Sequence, residues 1–377
     1  MAGIYLHIPF CKQACHYCDF HFSTSMKSRD DVVSCMMKEL ETRAIELEDQ
    51  PVSTVYFGGG TPSLLSGDEI KRFLEKIRAK FNVESSIEAT LEANPDDLNA
   101  EKIKALKEAG INRLSIGIQS FREEDLKLMN RAHTASQADY CVKQAQDLGI
   151  DNISIDLIYA IPGQTIGLWK ENIRRAIDLN VRHISSYCLT IEEKTAFGNW
   201  LSKGKMTNVP DEIAEAHFLT LHDELGAAGF NHYEVSNFCQ PGYNSKHNSA
   251  YWNGVNYLGV GPSAHSFDGK KRRWNVSNNF GYIKSLSLGE SYFEMEELTD
   301  QMHFNEYLMV GLRTAKGIDT AYLQQKYGVN LLKQYADPIA TWLQEGKLTQ
   351  NESWLQPTVK GFLFSDRMAS EMFEVND

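Results

Sequence analysis

Short runs of alternating hydrophobic and polar residues recur along the first half of the chain. The first run sets Ile4, Leu6 and Ile8 against Tyr5 and His7. A period of two is typical of a strand that packs one face on an apolar layer and turns the other towards polar surroundings. We predict six such strands, near residues 3–8, 53–58, 86–93, 112–119, 152–158 and 182–189.

Amphipathic helical segments separate these strands, and the second segment is the clearest. Ser66 and Glu69 form a predicted capping box at its start. Ile70, Phe73 and Ile77 follow with helical spacing. Alternating strands and helices are typical of a parallel sheet. Because the strands keep one polar face, we predict an α/β fold in which six βα units form a partial barrel with a polar lumen, rather than a flat sheet with one wet face.

The second half of the chain has a different pattern. Turns and short strands, including a predicted hairpin around Asp268-Gly269, indicate an extension that flanks the barrel. Helices predicted near residues 303–315, 319–327 and 330–345 then precede a β pair within 347–364. That order is typical of a winged-helix-like α+β domain. The predicted domains are therefore 1–200, 201–295 and 296–377.

Charge and hydropathy narrow the range of partners and locations. The 377 residues carry a net charge of −12, which repels phosphate backbones and argues against nucleic acid as a partner. Residues 301–377 hold seven basic and nine acidic residues, so a docking or lid role suits this domain better than DNA reading. No run reaches the roughly 18 apolar residues of a membrane span. We expect a cytoplasmic protein, with membrane attachment limited to peripheral association at the inner membrane.

Three of the seven cysteines lie within eight residues, directly after the first predicted strand. Cys11, Cys15 and Cys18 supply thiolates, which suit an iron–sulfur cluster or zinc. Three thiolates leave one iron of a four-iron cluster open to a reactant. Zinc in a purely structural scaffold needs a fourth ligand such as His7 or His16, and the spacing leaves this alternative open while favouring the cluster. The remaining cysteines are predicted to be ordinary buried residues: Cys35, Cys141, Cys188 and Cys239.

Glycine and polar residues gather at the carboxyl ends of the predicted strands. These features are the Gly58-Gly59-Gly60-Thr61-Pro62 run, Glu92 with Asn94-Pro95, Gln119, Asp156, and Arg131 one helix beyond Gln119. Active sites of barrel enzymes assemble at this rim. Taken singly, the glycine run could be a tight turn, and the polar residues could be a satisfied polar layer. Their common location favours a ligand site.

The motifs resemble those of the radical S-adenosylmethionine superfamily, through Cys-x3-Cys-x2-Cys, GGGTP and Glu-x-Asn-Pro after the first three strands. In that family three cysteines hold a [4Fe–4S] cluster whose fourth iron binds S-adenosylmethionine. The resemblance implies that Cys11, Cys15 and Cys18 are the cluster ligands. It also implies that S-adenosylmethionine is surrounded by Tyr5, Gly59, Gly60, Thr61, Glu92, Gln119, Arg131 and Asp156.

Two further features decide between branches of the superfamily. Residues 5–11 and 259–266 resemble the branch of oxygen-independent coproporphyrinogen III dehydrogenases, which decarboxylate porphyrinogen propionates through a radical. Those enzymes carry a further cysteine where this chain has Phe20, and an extension before the first strand. His247-Asn248-Ser249-Ala250-Tyr251-Trp252 instead resembles the H-N-x-x-Y-W motif of HemW-type haem chaperones. The resemblance implies a haem chaperone, with the dehydrogenase as the alternative. A chaperone of this family is not expected to have dehydrogenase activity, and whether it catalyses any other reaction is left open.

The same motif implies the haem contacts and the partners. Its haem-binding residues are predicted to be His247, Asn248, Tyr251 and Trp252. An imidazole can reach iron and aromatic rings can cover a macrocycle, although His247 alone could be structural. The basic run 270–273 could bind propionates, but four adjacent charges are more typical of a solvated loop. We predict no chemical role for His217 and His222.

Expected partners are haem, haem-accepting proteins including membrane-bound ones, and an electron donor for the cluster. Monomer and homodimer are both left open.

Overall fold

The six predicted strands lie side by side in one parallel array. The computed structural model describes residues 1–374, so the last three residues of the predicted C-terminal domain fall outside it. The strands are β1 (Ala2–Ile8), β2 (Val52–Gly59), β3 (Val83–Ala93), β4 (Arg113–Gln119), β5 (Ile153–Tyr159) and β6 (His183–Cys188). They neighbour one another in sequence order. This arrangement confirms the parallel sheet of βα units.

The two faces of these strands differ as the alternation predicted. Leu6, Leu91 and Ile116 lie on the outer face, where they are fully buried in the main hydrophobic core. Glu92 and Asp156 lie on the opposite face, in the lumen of the curved sheet. The polar residues are thereby kept apart from the apolar layer beneath the helices.

Helices connect the strands and cover the outer face. They are α1 (Arg29–Thr42), α2 (Gly67–Lys80), α3 (Ala100–Ala109), α4 (Glu123–Leu128), α5 (Ala135–Asp147) and α6 (Ile166–Asp178). The capping box at the start of α2 is present, since the Glu69 N–H donates to Ser66 Oγ and the Ser66 N–H donates to the Glu69 carboxylate. This pairing satisfies N–H groups that a helix start otherwise leaves without partners.

The segment between the barrel and the C-terminal unit lengthens the sheet at both edges. It contains α7 (Ala196–Ser202), α8 (Asp211–Ala227), β7 (Asn231–Glu234), β8 (Asn237–Cys239), α9 (Lys246–Trp252), β9 (Asn256–Val260), β10 (His265–Phe267), β11 (Lys271–Asn275), α10 (Asn279–Leu288) and β12 (Phe293–Glu297). β9 runs parallel beside β1 and continues into antiparallel β10–β12, while β8 lies antiparallel beside β6. The described residues thus form a sheet of twelve strands.

The expected hairpin around Asp268-Gly269 is present between β10 and β11, but most of the solvated loop expected at 270–273 is not. β11 pairs with both β10 and β12. Arg273 is mostly buried and lies over the Phe293 ring at 3.5 Å. Arg272 pairs with Glu306 at 2.7 Å. The prediction of a solvated loop holds for Lys270, which is exposed in the turn, and was wrong for Arg272 and Arg273, because a carboxylate of α11 and a ring of β12 contact these two cations.

The C-terminal unit has the order expected of a winged helix. It comprises α11 (Asp300–Leu312), β13 (Ile318–Asp319), α12 (Thr320–Tyr327), α13 (Leu331–Gln334), α14 (Ala336–Gln344), β14 (Leu348–Asn351), β15 (Trp354–Pro357), α15 (Val359–Phe362) and α16 (Ser365–Ser370). The single helix expected at 330–345 is two, with Pro338 in the first turn of α14, where proline is tolerated. The β pair ends at Pro357, and a short helix follows it.

The C-terminal unit has its own hydrophobic core and joins the barrel through backbone contacts. Leu308, Ile318 and Leu355 are fully buried in that core. The Val235 N–H donates to the Arg313 carbonyl at 2.9 Å. In residues 1–374 no helix has the length and apolar character needed to cross a membrane. The domain boundaries at residues 200 and 295 stay predictions.

Candidate functional site

A cavity of about 500 Å³ opens at the carboxyl ends of the parallel strands, and we call it the rim cavity. It is lined by the three clustered cysteines and by seven of the eight residues expected around S-adenosylmethionine. Those seven are Gly59, Gly60, Thr61, Glu92, Gln119, Arg131 and Asp156. The structure therefore brings together residues spread over more than 140 positions of sequence.

Hydrogen-bond donors point at the sulfur atoms of the cysteine loop. Thr61 Oγ1 lies 3.4 Å from Cys11 Sγ, and Arg131 Nη1 lies 3.3 Å from Cys15 Sγ. Donors of this kind stabilise thiolates and set the potential of an iron–sulfur cluster. Three partly exposed thiols, two of them with a donor on the sulfur, fit the three-cysteine ligand set of a [4Fe–4S] cluster.

The two histidines considered as a fourth zinc ligand have other contacts. His7 Nδ1 lies 3.1 Å from the Tyr5 hydroxyl, and His7 Nε2 lies 3.1 Å from the His21 carbonyl. His16 Nδ1 lies 2.8 Å from the Leu128 carbonyl, and its ring packs edge-on against Trp200. Both ring nitrogens of His7 are occupied. Among the residues that the structure describes, His16 has only Nδ1 in a hydrogen bond, but it is not among those that line the rim cavity with the three cysteines, so the structure does not favour either ring as a fourth zinc ligand.

The glycine run allows β2 to approach the cysteine loop closely. Gly59 has a φ of +107°, and a Cβ atom there would lie 2.8 Å from the His7 ring. A Cβ atom on Gly60 would lie 2.7 Å from the Phe10 carbonyl oxygen. The Gly60 N–H donates to the Ile8 carbonyl at 2.8 Å. The run is therefore both a tight connection and part of the cavity lining, because only glycine fits this approach.

Two carboxyl groups, those of Glu92 and Asp156, lie inside the rim cavity, near enough for each to feel the charge of the other. Glu92 accepts hydrogen bonds from the Tyr56 hydroxyl at 2.8 Å and the Gly59 N–H at 3.1 Å. Burial raises the pKa of Glu92 to about 7, and the nearby Asp156 carboxyl adds to the rise. Burial likewise raises the pKa of Asp156 to about 6. A cationic ligand would favour the ionised form of both groups, so the pair suits a sulfonium or an ammonium group.

Gln119 and Arg131 complete the far side of the rim cavity. Gln119 has a φ of +68°, a conformation that side-chain-bearing residues adopt mainly where the surrounding structure imposes it. Arg131 donates to Asn94 Oδ1 at 2.6 Å and to the Gly117 carbonyl at 2.7 Å. Tyr5, the eighth expected residue, is outside the lining and stacks instead against Tyr56.

The helix that carries the H-N-x-x-Y-W motif, α9, packs over β1 and β2. His247 is only 2% exposed. Its Nδ1 lies 2.8 Å from Thr54 Oγ1, its Nε2 lies 2.9 Å from the Tyr251 hydroxyl, and its ring stacks on Tyr56. Since both ring nitrogens are engaged inside the protein, the structure supports the structural interpretation of His247 and not the expected contact with iron.

The other three residues of the motif line a second cavity. Asn248, Tyr251 and Trp252 form one wall of a space of about 800 Å³ between the barrel and the C-terminal unit, which we call the interdomain cavity. Residues 362–367 of the C-terminal unit also line it. The residues of the motif therefore lie on two sides of α9. His247 packs against the strands of the barrel, and the other three residues line the interdomain cavity.

Comparison with known proteins agrees with this geometry. The radical SAM superfamily model matches residues 5–178, and the HemN C-terminal domain model matches residues 298–364. The heme chaperone HemW of Bacillus subtilis is 33% identical, and the alignment covers 98% of each chain. The heme chaperone HemW of Escherichia coli is 39% identical over 70% of this chain and 69% of its own.

The chain belongs to the HemW family of radical SAM proteins. A mitochondrial relative from Danio rerio, named radical S-adenosyl methionine domain-containing protein 1, is 33% identical over 87% of this chain and 79% of its own. Among solved structures, coproporphyrinogen III oxidase HemN of Escherichia coli superposes with a TM-score of 0.85 at 22% identity, covering 99% of this chain and 90% of that one. The HemN likeness shows a shared fold, and the superfamily implies a [4Fe–4S] cluster and S-adenosylmethionine.

Several lining residues of this HemW-family protein escaped the sequence analysis. Tyr187 and Cys188 line both cavities and end β6. Their place at a strand end is the signal that could have found them. Cys188 is exposed and Cys35 is partly exposed, so the expectation that all four scattered cysteines are buried was wrong for these two. Arg313 gave no such signal, because it meets the interdomain cavity only through packing of the C-terminal unit.

Proposed function

We propose that this protein is a haem chaperone that binds haem and delivers it to haem-requiring proteins. The observation that carries the proposal is the 33% identity with a haem chaperone along 98% of both chains. Phe20, at the position of the further cysteine of the dehydrogenases, also supports it. Coproporphyrinogen III dehydrogenase, the alternative, shares the fold, the C-terminal domain and the motifs at residues 5–11 and 259–266, but this chain lacks its further cysteine.

Within this function, we propose that Cys11, Cys15 and Cys18 hold the [4Fe–4S] cluster. When bound, the cluster would supply one-electron chemistry. Thr61 and Arg131 donate to the sulfur atoms and restrain the loop. The chain's own part is to bind S-adenosylmethionine and orient it. Glu92 and Asp156 offer negative charge to a cation, while Arg131 suits a carboxylate.

The partners of the chaperone follow from its cargo. Haem is the expected ligand, and haem-accepting proteins, membrane-bound ones included, are the expected recipients. We further propose an electron donor for the cluster and a cytoplasmic location with peripheral association at the inner membrane. Monomer and homodimer remain as the two states to be distinguished by light scattering.

The test uses anaerobically prepared, cluster-loaded protein. Haem titration is expected to show one haem per chain, and incubation with an apo-form haem protein is expected to transfer that haem. Coproporphyrinogen III incubated with S-adenosylmethionine and a reductant is expected to remain unchanged. Formation of protoporphyrinogen, or absence of haem binding by the wild-type chain, would contradict the proposal. The matched control is the same titration with the cluster removed by Cys15→Ala.

A further inference from the structure

The interdomain cavity has walls from three parts of the chain. Tyr187 and Cys188, at the end of β6, form the first wall. Tyr251 and Trp252 of α9 form the second, and Phe364, just beyond α15, belongs to the third. At about 800 Å³ the space lies near the upper end of the 300–1,000 Å³ range of small-molecule sites. It can therefore take a ligand larger than most metabolites.

The chemistry of the walls is that of an amphipathic acid. Aromatic side chains are among those that line the cavity, and they suit a flat apolar ring system. Arg313 and Arg367 line the same space from the C-terminal unit. Arg313 also pairs with Asp366 at 2.7 Å, but Asp366 is 71% exposed, so this ion pair is weak and open to exchange. A ligand carboxylate can take the place of Asp366 at little cost.

Two polar atoms at the interdomain cavity have no hydrogen-bond partner within residues 1–374. Asn237 lines the cavity, is 5% exposed, and leaves its Oδ1 unsatisfied. The indole N–H of Trp252, a donor only, is buried and also without a partner. Buried polar atoms without partners are uncommon in folded proteins. Because neither atom has surface open to solvent, a ligand group in the cavity could reach them only after a local side-chain movement.

The side chains available to an iron atom here do not include an accessible imidazole. His247 has both ring nitrogens occupied by Thr54 and Tyr251. Cys188 is the exposed thiol of the cavity lining in the described part of the chain. A thiolate is an established axial ligand of haem iron in proteins, and the thiol proton passes to solvent when the metal binds.

We propose that haem occupies the interdomain cavity, with Cys188 as the axial ligand of its iron and Arg313 and Arg367 as partners of its propionates. His247 is then a positioning residue that fixes α9 through Thr54 and Tyr251. The inference rests on the proposed function. It goes beyond that function because it assigns the haem site, the atom that binds the iron, and a role for the C-terminal unit in holding the propionates.

The test is spectroscopic titration of haem into full-length, cluster-loaded protein under anaerobic conditions. Cys188→Ser is expected to abolish the thiolate signature of the ferrous carbonyl complex and to weaken binding about tenfold. The matched control, Cys35→Ala on α1, leaves both unchanged. The double variant Arg313→Gln, Arg367→Gln is expected to weaken binding about tenfold while the thiolate signature stays. Iron content and circular dichroism check that each variant is folded and loaded.

His247→Gln separates the positioning role from ligation. The thiolate signature is expected to persist in this variant, with haem binding weakened. The proposal is overturned if Cys188→Ser keeps the wild-type spectrum and affinity, or if His247→Gln alone removes the axial-ligand signature. Failure of the wild-type chain to bind haem would instead contradict the proposed chaperone function, so the two failures are distinguishable.

Discussion

The rim cavity takes its lining from the ends of consecutive strands and the loop after β1, whereas the interdomain cavity draws on distant segments that meet only when two units pack. The first is held by one hydrogen-bonded sheet. The second depends on contacts such as the backbone hydrogen bond from Val235 to Arg313. The rim cavity should therefore respond to changes in local geometry, and the interdomain cavity to changes in the seating of the C-terminal unit.

The largest expected effect tests the rim cavity through its sulfur ligands. Replacing any one of Cys11, Cys15 and Cys18 by Ala is expected to abolish the assembled cluster. The loop offers three thiolates, and the cluster needs all of them. Iron and sulfide analysis after anaerobic reconstitution measures it. Cys141→Ala, in the buried core of α5, is the matched control and retains full iron. Full iron in all three single variants would contradict the ligand assignment.

The next effect tests whether the backbone at the rim is as tightly packed as the structure indicates. Gly60→Ala is expected to lower the free energy of unfolding by about 3 kcal/mol and to reduce cluster loading, because the added Cβ meets the Phe10 carbonyl. Denaturant unfolding measures the first quantity and iron analysis the second.

Gly226→Ala is the control for this substitution. It lies in α8 with no atom near its Cβ position, and it is expected to stabilise the chain by roughly 0.5–1 kcal/mol. Equal changes in the free energy of unfolding for Gly60→Ala and Gly226→Ala would contradict the prediction, because they would show that β2 has room for a side chain beside the cysteine loop.

The carboxyl pair of the rim cavity predicts a pH dependence of stability. The pKa of Glu92 is raised to about 7, so its stabilising contribution is complete below the unfolded-state pKa and is lost as pH rises through about 7. Discounted for its partial exposure, the loss between pH 5 and pH 8 is about 2 kcal/mol. Glu92→Gln is expected to reduce this slope in urea unfolding curves and to leave the smaller part that comes from the raised pKa of Asp156. Glu75→Gln, exposed on α2, leaves the slope in place.

The smallest effect belongs to the interdomain cavity. Asp366→Asn is expected to change the free energy of unfolding by less than about 1 kcal/mol, because the ion pair with Arg313 is exposed. Haem affinity is expected to rise slightly as the competing carboxylate is removed. Calorimetry measures both quantities, and a large loss of stability would show that this ion pair seats the C-terminal unit.

The sequence could predict the rim cavity because position along a strand determines it. Asp156 and Gln119 were found from alternation together with their place at the strand ends, since side chains at the carboxyl ends of parallel strands meet at one edge, and their role came from the family resemblance. The orientation of His247 could not be predicted, because a histidine in a short helix gives no sign of which face is buried. Nor could the environment of Arg273, which depends on the Phe293 ring from a strand twenty residues away.

Tyr187 and Cys188 form a common wall between the two cavities. A ligand that displaces this wall from one side changes the free energy of occupancy on the other. Thermodynamic linkage requires the effect to be reciprocal, so the factor by which S-adenosylmethionine alters the dissociation constant of haem equals the factor by which haem alters that of S-adenosylmethionine. On the proposed assignment of haem to the interdomain cavity, the two residues at the end of β6 would couple the release of the cofactor to that of the cargo.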